Sequence, residues 1–101
     1  MPAFWLARSK INDPVAYKRY TDQIPGIMAR YDGKILARGG RFRVLEGPTK
    51  FERFVVIEFP TLERGIECFN SAEYQSAAAH RRQNGAGEVE LVMLEAGEFT
   101  K

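Results

Sequence analysis

Apolar positions along this chain follow two periods. The runs AFWLARS at residues 3–9, RFVVIEFP at 53–60 and EVELVMLE at 88–95 are short and rich in β-branched and aromatic side chains, so they read as strands. Between the first two the spacing lengthens. Tyr17, Tyr20, Ile24, Ile27 and Tyr31 recur every three or four residues, with Met28 beside them, which gathers them into one helical stripe. Asn12 or Asp13 is placed to cap that helix, and Pro14 falls at its first position, where a missing amide costs nothing. Pro25 interrupts the stripe and predicts a kink or restart at residues 23–25, and Gly33 is expected to end the helix.

Residues 34–46 alternate well enough to predict a long second strand, with a bulge at Gly39 and Gly40 and a turn carried by Gly47 and Pro48. Thr61 is expected to cap a helix running through Phe69, with Leu62, Ile66 and Phe69 on one side. Asn70, three residues before Glu73, is expected to cap the next, SAEYQSAAAHRRQ, which runs to Gly85. The order strand, helix, strand, strand, helix, strand predicts an α+β, ferredoxin-like βαββαβ fold, a four-stranded antiparallel sheet with helices on one face, as a single domain over residues 1–101. Such a sheet ordinarily alternates between an apolar and a wet side. Here both parities are apolar, as in Val55, Ile57 and Phe59 against Phe54 and Val56, so the second face also needs cover. A chain of 101 residues has no further layer to supply it, which predicts a homodimer packed sheet to sheet.

The segments ARGG, VLEG, FVVIEFP and FNSAEYQ, followed by Arg81 six residues after Gln75, taken in that order over residues 3–96, resemble the family filed as domain of unknown function 1330, within the dimeric α/β-barrel superfamily. The resemblance implies a ferredoxin-like protomer and a sheet-to-sheet dimer, in agreement with the face argument. It implies no assigned activity: the wider superfamily holds haem-degrading and cofactor-free monooxygenases, lactone isomerases and plain binding proteins.

Composition narrows the chemistry. Fifteen basic against thirteen acidic residues leave a net charge of +2, which gives no general pull toward nucleic acid or membrane surface. No apolar run approaches the roughly 20 residues of a membrane span and the start MPAFW lacks a signal-peptide pattern, so a cytoplasmic protein is expected. Cys68 and His80 are the only residues of their kinds, which excludes an intrachain disulfide and a Cys/His zinc site; no metal or cofactor is expected. Cys68, beside Phe69 on a helix, reads as a plain buried thiol, and His80 in AAAHRRQ as a surface residue of a basic helix end.

The stretch ARGGRFRVLEG concentrates arginines around a glycine pair. No helix N-terminus follows it, so it is not a phosphate cradle. With a turn over residues 47–52, the register sets Arg41 opposite Glu58, whose carboxylate interrupts the apolar run VVIEF and therefore calls for a partner. Taking the first and third strands as parallel neighbours brings Arg8 to the same edge. Arg8, Arg38, Arg41 and Glu58, rimmed by Asn70, Tyr74 and Arg81, form the candidate site of a protein that binds a small polar or anionic metabolite, or acts on one as a cofactor-independent enzyme. The reading left beside it is a non-catalytic structural homodimer whose arginine and glutamate cluster only fixes strand register and dimer contacts.

Overall fold

The structure, a computed structural model, describes residues 1–98. Strand β1 (Ala3–Ile11) leads to Asp13, whose carboxylate accepts hydrogen bonds from the Val15 and Ala16 amides at 3.1 and 3.2 Å and so caps α1 (Pro14–Thr21). The chain breaks at Asp22 and Gln23 and restarts as α2 (Ile24–Arg30), with Pro25 in its first turn where the missing amide is tolerated, as the sequence predicts. The turn out of α2 differs from expectation. Asp32, not Gly33, takes the left-handed conformation (φ 65°), and the Gly33 amide donates to the Met28 carbonyl at 2.8 Å. Gly33 is needed for close packing: a Cβ there would lie 3.0 Å from the Phe59 ring.

Strand β2 (Lys34–Arg38) is much shorter than the expected 34–46. Its bulge falls at Leu36 rather than at the glycine pair, and Gly39 (φ 71°) turns the chain out of the sheet into a loop that lasts until β3 (Arg53–Phe59). Thr61 caps α3 (Leu62–Asn70) as expected, its hydroxyl accepting from the Arg64 amide at 3.1 Å. The buried residues of α3 are Gly65 and Cys68, whereas Ile66 is exposed. The cap of α4 (Ala72–Arg82) is Ser71, not Asn70; its hydroxyl accepts from the Tyr74 amide at 3.1 Å. A short 3-10 turn (Gln83–Gly85) then leads into β4 (Gly87–Glu95).

The sheet order is β2-β3-β1-β4 with every neighbouring pair antiparallel. The expectation that β1 and β3 run parallel is therefore corrected. A helical crossover returns the chain to the starting end of the sheet, which makes β2 parallel to β1, and the β2-to-β3 connection reverses it once more. The helices cover the side that carries Trp5, Val55, Ile57, Phe59 and Leu91, where Trp5 packs against Phe59, Phe69 and Tyr74 at 6.0, 6.0 and 5.0 Å between ring centroids. The other side carries Phe4, Leu6, Phe54, Val56, Val92 and Leu94, over which no helix packs; only the Phe54 ring has an aromatic neighbour there among the described residues, Phe42 of the loop, 4.8 Å away between centroids. Val92 and Leu94 remain 57% and 54% exposed, so the apolar second face read from the sequence is present. No helix among the described residues is long and apolar enough to cross a membrane.

Candidate functional site

Beneath the helix-facing side of β1 and β3 lies a small cavity of about 20 Å³, room for roughly one water-sized group. Its polar lining comes from four elements. Ser9 of β1 and Arg53 of β3 are directly paired across the ladder, Arg38 comes from the end of β2, and Tyr17 and Tyr20 descend from one face of α1 at a spacing of three. Tyr17 reaches this position because Gly87 has no side chain: a Cβ there would stand 2.5 Å from the ring. Ser9 is buried, and its hydroxyl makes no hydrogen bond among the described residues.

The two guanidinium groups of this lining have no carboxylate within salt-bridge distance among the described residues. Arg38 donates to the Thr21 carbonyl at 2.6 Å, at the negative end of the α1 dipole. Burial, and then the neighbouring Arg53, hold the Arg38 guanidinium below its ordinary range. Arg53 lies 5.9 Å from the centre of the Tyr17 ring, within cation–π reach. Behind Tyr20 the polar contacts continue into the core. The Tyr20 and Tyr74 hydroxyls are 2.9 Å apart, and Arg81 Nη2 donates to Tyr74 Oη at 3.1 Å. Arg81 is 6% exposed, its buried Nε has no hydrogen-bond partner among the described residues, and its guanidinium sits 5.0 Å from the Tyr20 ring centre. Burial opposes its charge, the Tyr74 and Tyr20 hydroxyls favour it, and the balance lies on the charged side. For Tyr20 burial, reinforced by the adjacent Tyr74 hydroxyl, pushes the phenol well above its ordinary range.

Of the seven residues expected to form one site, the structure gathers Arg38, Tyr74 and Arg81 around Tyr20 and disperses the other four. Arg8 is on the open side of the sheet, stacked 4.2 Å above the Phe51 ring, and both its Nε and Nη2 bond one oxygen of Glu90, at 2.9 and 2.7 Å. Glu58 faces Phe4 and Lys34 instead of Arg41, and because β1 and β3 are antiparallel it stands at the opposite end from Arg8, whose partner on β3 is Phe54. Arg41 is exposed in the loop beyond Gly39, and Asn70 is exposed at the end of α3. His80 is half-buried near the end of α4, and Cys68 is fully buried, its Sγ 3.8 Å from Met28 Sδ. Ser9, Tyr17, Tyr20 and Arg53 were missed as site residues. The tyrosines read as core stripe, although a buried phenol needs a partner for its hydroxyl, and that was the signal available.

A larger concavity, about 450 Å³, lies on the open side among Leu6, Arg8, Phe54, Val56, Glu90 and Val92. It is a shallow apolar surface whose only charged groups, Arg8 and Glu90, neutralise each other. The smaller cavity is where unbalanced polar chemistry is collected.

Element order, antiparallel sheet and one-sided helices define an α+β protein of ferredoxin-like fold. The chain belongs to the family described as domain of unknown function (DUF1330), whose model matches residues 2–96. Among solved structures it is similar to a protein of unknown function from Rhodopseudomonas palustris, at 21% identity and a TM-score of 0.71 over 96% of this chain and 83% of that one. A dimeric ferredoxin-like protein of unknown function from Jannaschia sp. CCS1 superposes with a TM-score of 0.70 at 12% identity, covering 95% and 100% of the two chains. SnoaB, a cofactor-independent oxygenase from Streptomyces nogalater, is similar at 13% identity with a TM-score of 0.63, over 96% of this chain and 94% of that one. No curated protein matches the chain.

Proposed function

We propose that the chain acts as one domain, paired into a homodimer through its open sheet face in the reducing cytoplasm where Cys68 stays a free thiol, and that its cavity binds a short carboxylic acid between Arg38 and Arg53. The observation that carries the binding reading is charge imbalance. Arg8, Arg30 and Arg64 each pair with a carboxylate, whereas Arg38, Arg53 and Arg81 surround Tyr17 and Tyr20 without one among the described residues. Guanidinium groups held together at a half-buried site favour an anion that satisfies both, and a carboxylate fits their geometry. The cavity limits the ligand's size: the acid head lies at the mouth between the arginines and only a methyl- or hydroxyl-sized part enters.

The lining holds no carboxylate and no histidine, so this site offers donors and no general base. It suits holding an anion that arrives ionised. The structural alternative finds less support, since Glu58 has no arginine opposite it, although Arg8 and Glu90 do tie β1 to β4.

The dimer reading rests on Phe4, Leu6, Phe54, Val56, Val92 and Leu94, a contiguous apolar face that a second copy covers with its own. The ligand reading is tested by thermal shift with acetate, propionate, isobutyrate and pyruvate at constant ionic strength, on wild type and on Arg53→Gln. A rise in Tm with at least one acid, lost in the variant, is expected; no rise with any of them refutes the site.

A further inference from the structure

The buried hydroxyl chain behind the cavity makes a demand of its own. Tyr20 and Tyr74 bring two hydroxyl hydrogens to a single contact of 2.9 Å, so one hydrogen has no acceptor among the described residues. Arg81 decides which. Its guanidinium donates to Tyr74 Oη and interacts less strongly with the Tyr20 hydroxyl, so the cation polarises Tyr74 more and favours the arrangement in which Tyr74 gives its hydrogen to Tyr20. The hydrogen left over is that of Tyr20. Tyr20 lines the cavity while Tyr74, fully buried, does not. Leaving a buried donor without an acceptor is costly; the lining supplies no carboxylate or amide oxygen, and among the described residues Tyr20 forms no hydrogen bond to its other hydroxyls, Ser9 and Tyr17, its partner being Tyr74. The buried Nε of Arg81 has no hydrogen-bond partner, and Arg81 forms no salt bridge, among the described residues.

We infer that Tyr20, oriented by Tyr74 and Arg81, donates a hydrogen bond to an oxygen inside the cavity, so that the ligand is a short oxo acid, its carboxylate on Arg38 and Arg53 and its carbonyl oxygen on Tyr20. This deepens the carboxylate reading and rests on it. Tyr20 is suited to the task because its burial keeps it protonated throughout the neutral range, a permanent donor rather than a base. Tyr74 and Arg81 are positioning residues. They do not line the cavity, and they act by fixing which way the Tyr20 hydrogen points.

Pyruvate and isobutyrate separate the two levels of the reading, because they match in size and charge and differ in the carbonyl. Titration calorimetry on wild type is expected to give pyruvate about tenfold tighter binding than isobutyrate, the ordinary worth of one satisfied buried hydrogen bond. Tyr20→Phe is expected to abolish that preference, the two acids then binding alike, and Tyr74→Phe to reduce it in the same way. Equal affinity of wild type for the two acids overturns the role of Tyr20 and leaves the carboxylate site standing, and no folded variant is needed to obtain that result. A preference for pyruvate that survives in folded Tyr20→Phe also overturns it. Binding of neither acid removes both readings together.

Discussion

Gly87→Ala tests how the cavity wall is held. Gly87 opens β4 opposite Ile11, and a Cβ there would stand 2.5 Å from both Cδ2 and Cε2 of Tyr17, where ordinary contact begins near 3.4 Å. The ring has little room to give the missing distance. Tyr17 is 3% exposed and packs edge-on against Tyr20 at 5.5 Å between centroids. Overpacking of this kind costs about 1–3 kcal/mol. Replacing glycine by alanine also restricts the unfolded chain, which returns about 0.4–1 kcal/mol, so a net loss of about 1–2 kcal/mol is expected. For a chain of this size that lowers Tm by roughly 5–15 °C. Calorimetry at fixed protein concentration checks it, with Gly40→Ala as comparator: that position has open space around it and no left-handed φ, so the same change there leaves Tm unchanged or slightly raised. A Gly87→Ala protein that melts with wild type means that Tyr17 is not wedged against β4, and the account of the cavity wall fails.

Val56 stands at the middle of the open face, opposite Leu6 on one neighbour and Ala37 on the other, so Val56→Lys should leave the protomer folded, with its ammonium in water, and raise the dimer dissociation constant at least a hundredfold by burying an unpaired charge in the interface. Sedimentation equilibrium reads this directly, and a wild type that is monomeric at tens of micromolar refutes the dimer. Burial pushes the Cys68 thiol up to about 11 from an ordinary 9.0. The folded state therefore holds this proton over a range in which the unfolded chain has lost it, and the stability it contributes, complete below about pH 9, is lost as pH rises toward 11. Wild type should lose Tm more steeply than Cys68→Ala between those values, and identical slopes would show that the thiol does not contribute.

The element order was legible because local chemistry and period agreed at almost every boundary: Asp13 and Pro14 at the start of α1, Pro25 at the break, Thr61 before α3. The second strand was not. Residues 40–46 keep an alternating pattern, and pattern alone does not reveal that Gly39 takes φ 71° and carries the chain off the sheet. Ending β2 at Arg38 then changed the register, so that Lys34 and not Arg41 lies opposite Glu58. One backbone angle removed the arginine and glutamate pair on which the expected site was built.

The remaining error was one of strand direction, and it explains which site residues survived. With β1 antiparallel to β3, Arg8 and Glu58 separate by four positions along the ladder, about 13 Å at the usual rise per residue, and both stay on the open side. Parity then sorts the arginines. Arg8 shares its face with Leu6 and Phe54, whereas Arg53 and Arg38 fall on the face of Val55, toward the helices, where water is scarce and α1 presents its tyrosines. Tyr74 and Arg81, seven residues apart, are two turns apart on one side of α4 and so enter the same space from above. An arginine at that spacing from a core tyrosine, on a helix that is otherwise alanine on its buried side, is placed to donate to the tyrosine hydroxyl, as Arg81 does to Tyr74 at 3.1 Å with Tyr20 beside it. The polar centre of this fold is therefore written in helix spacing, and it lies on the helix-facing side of the sheet, opposite the face that carries Arg8 and Glu58.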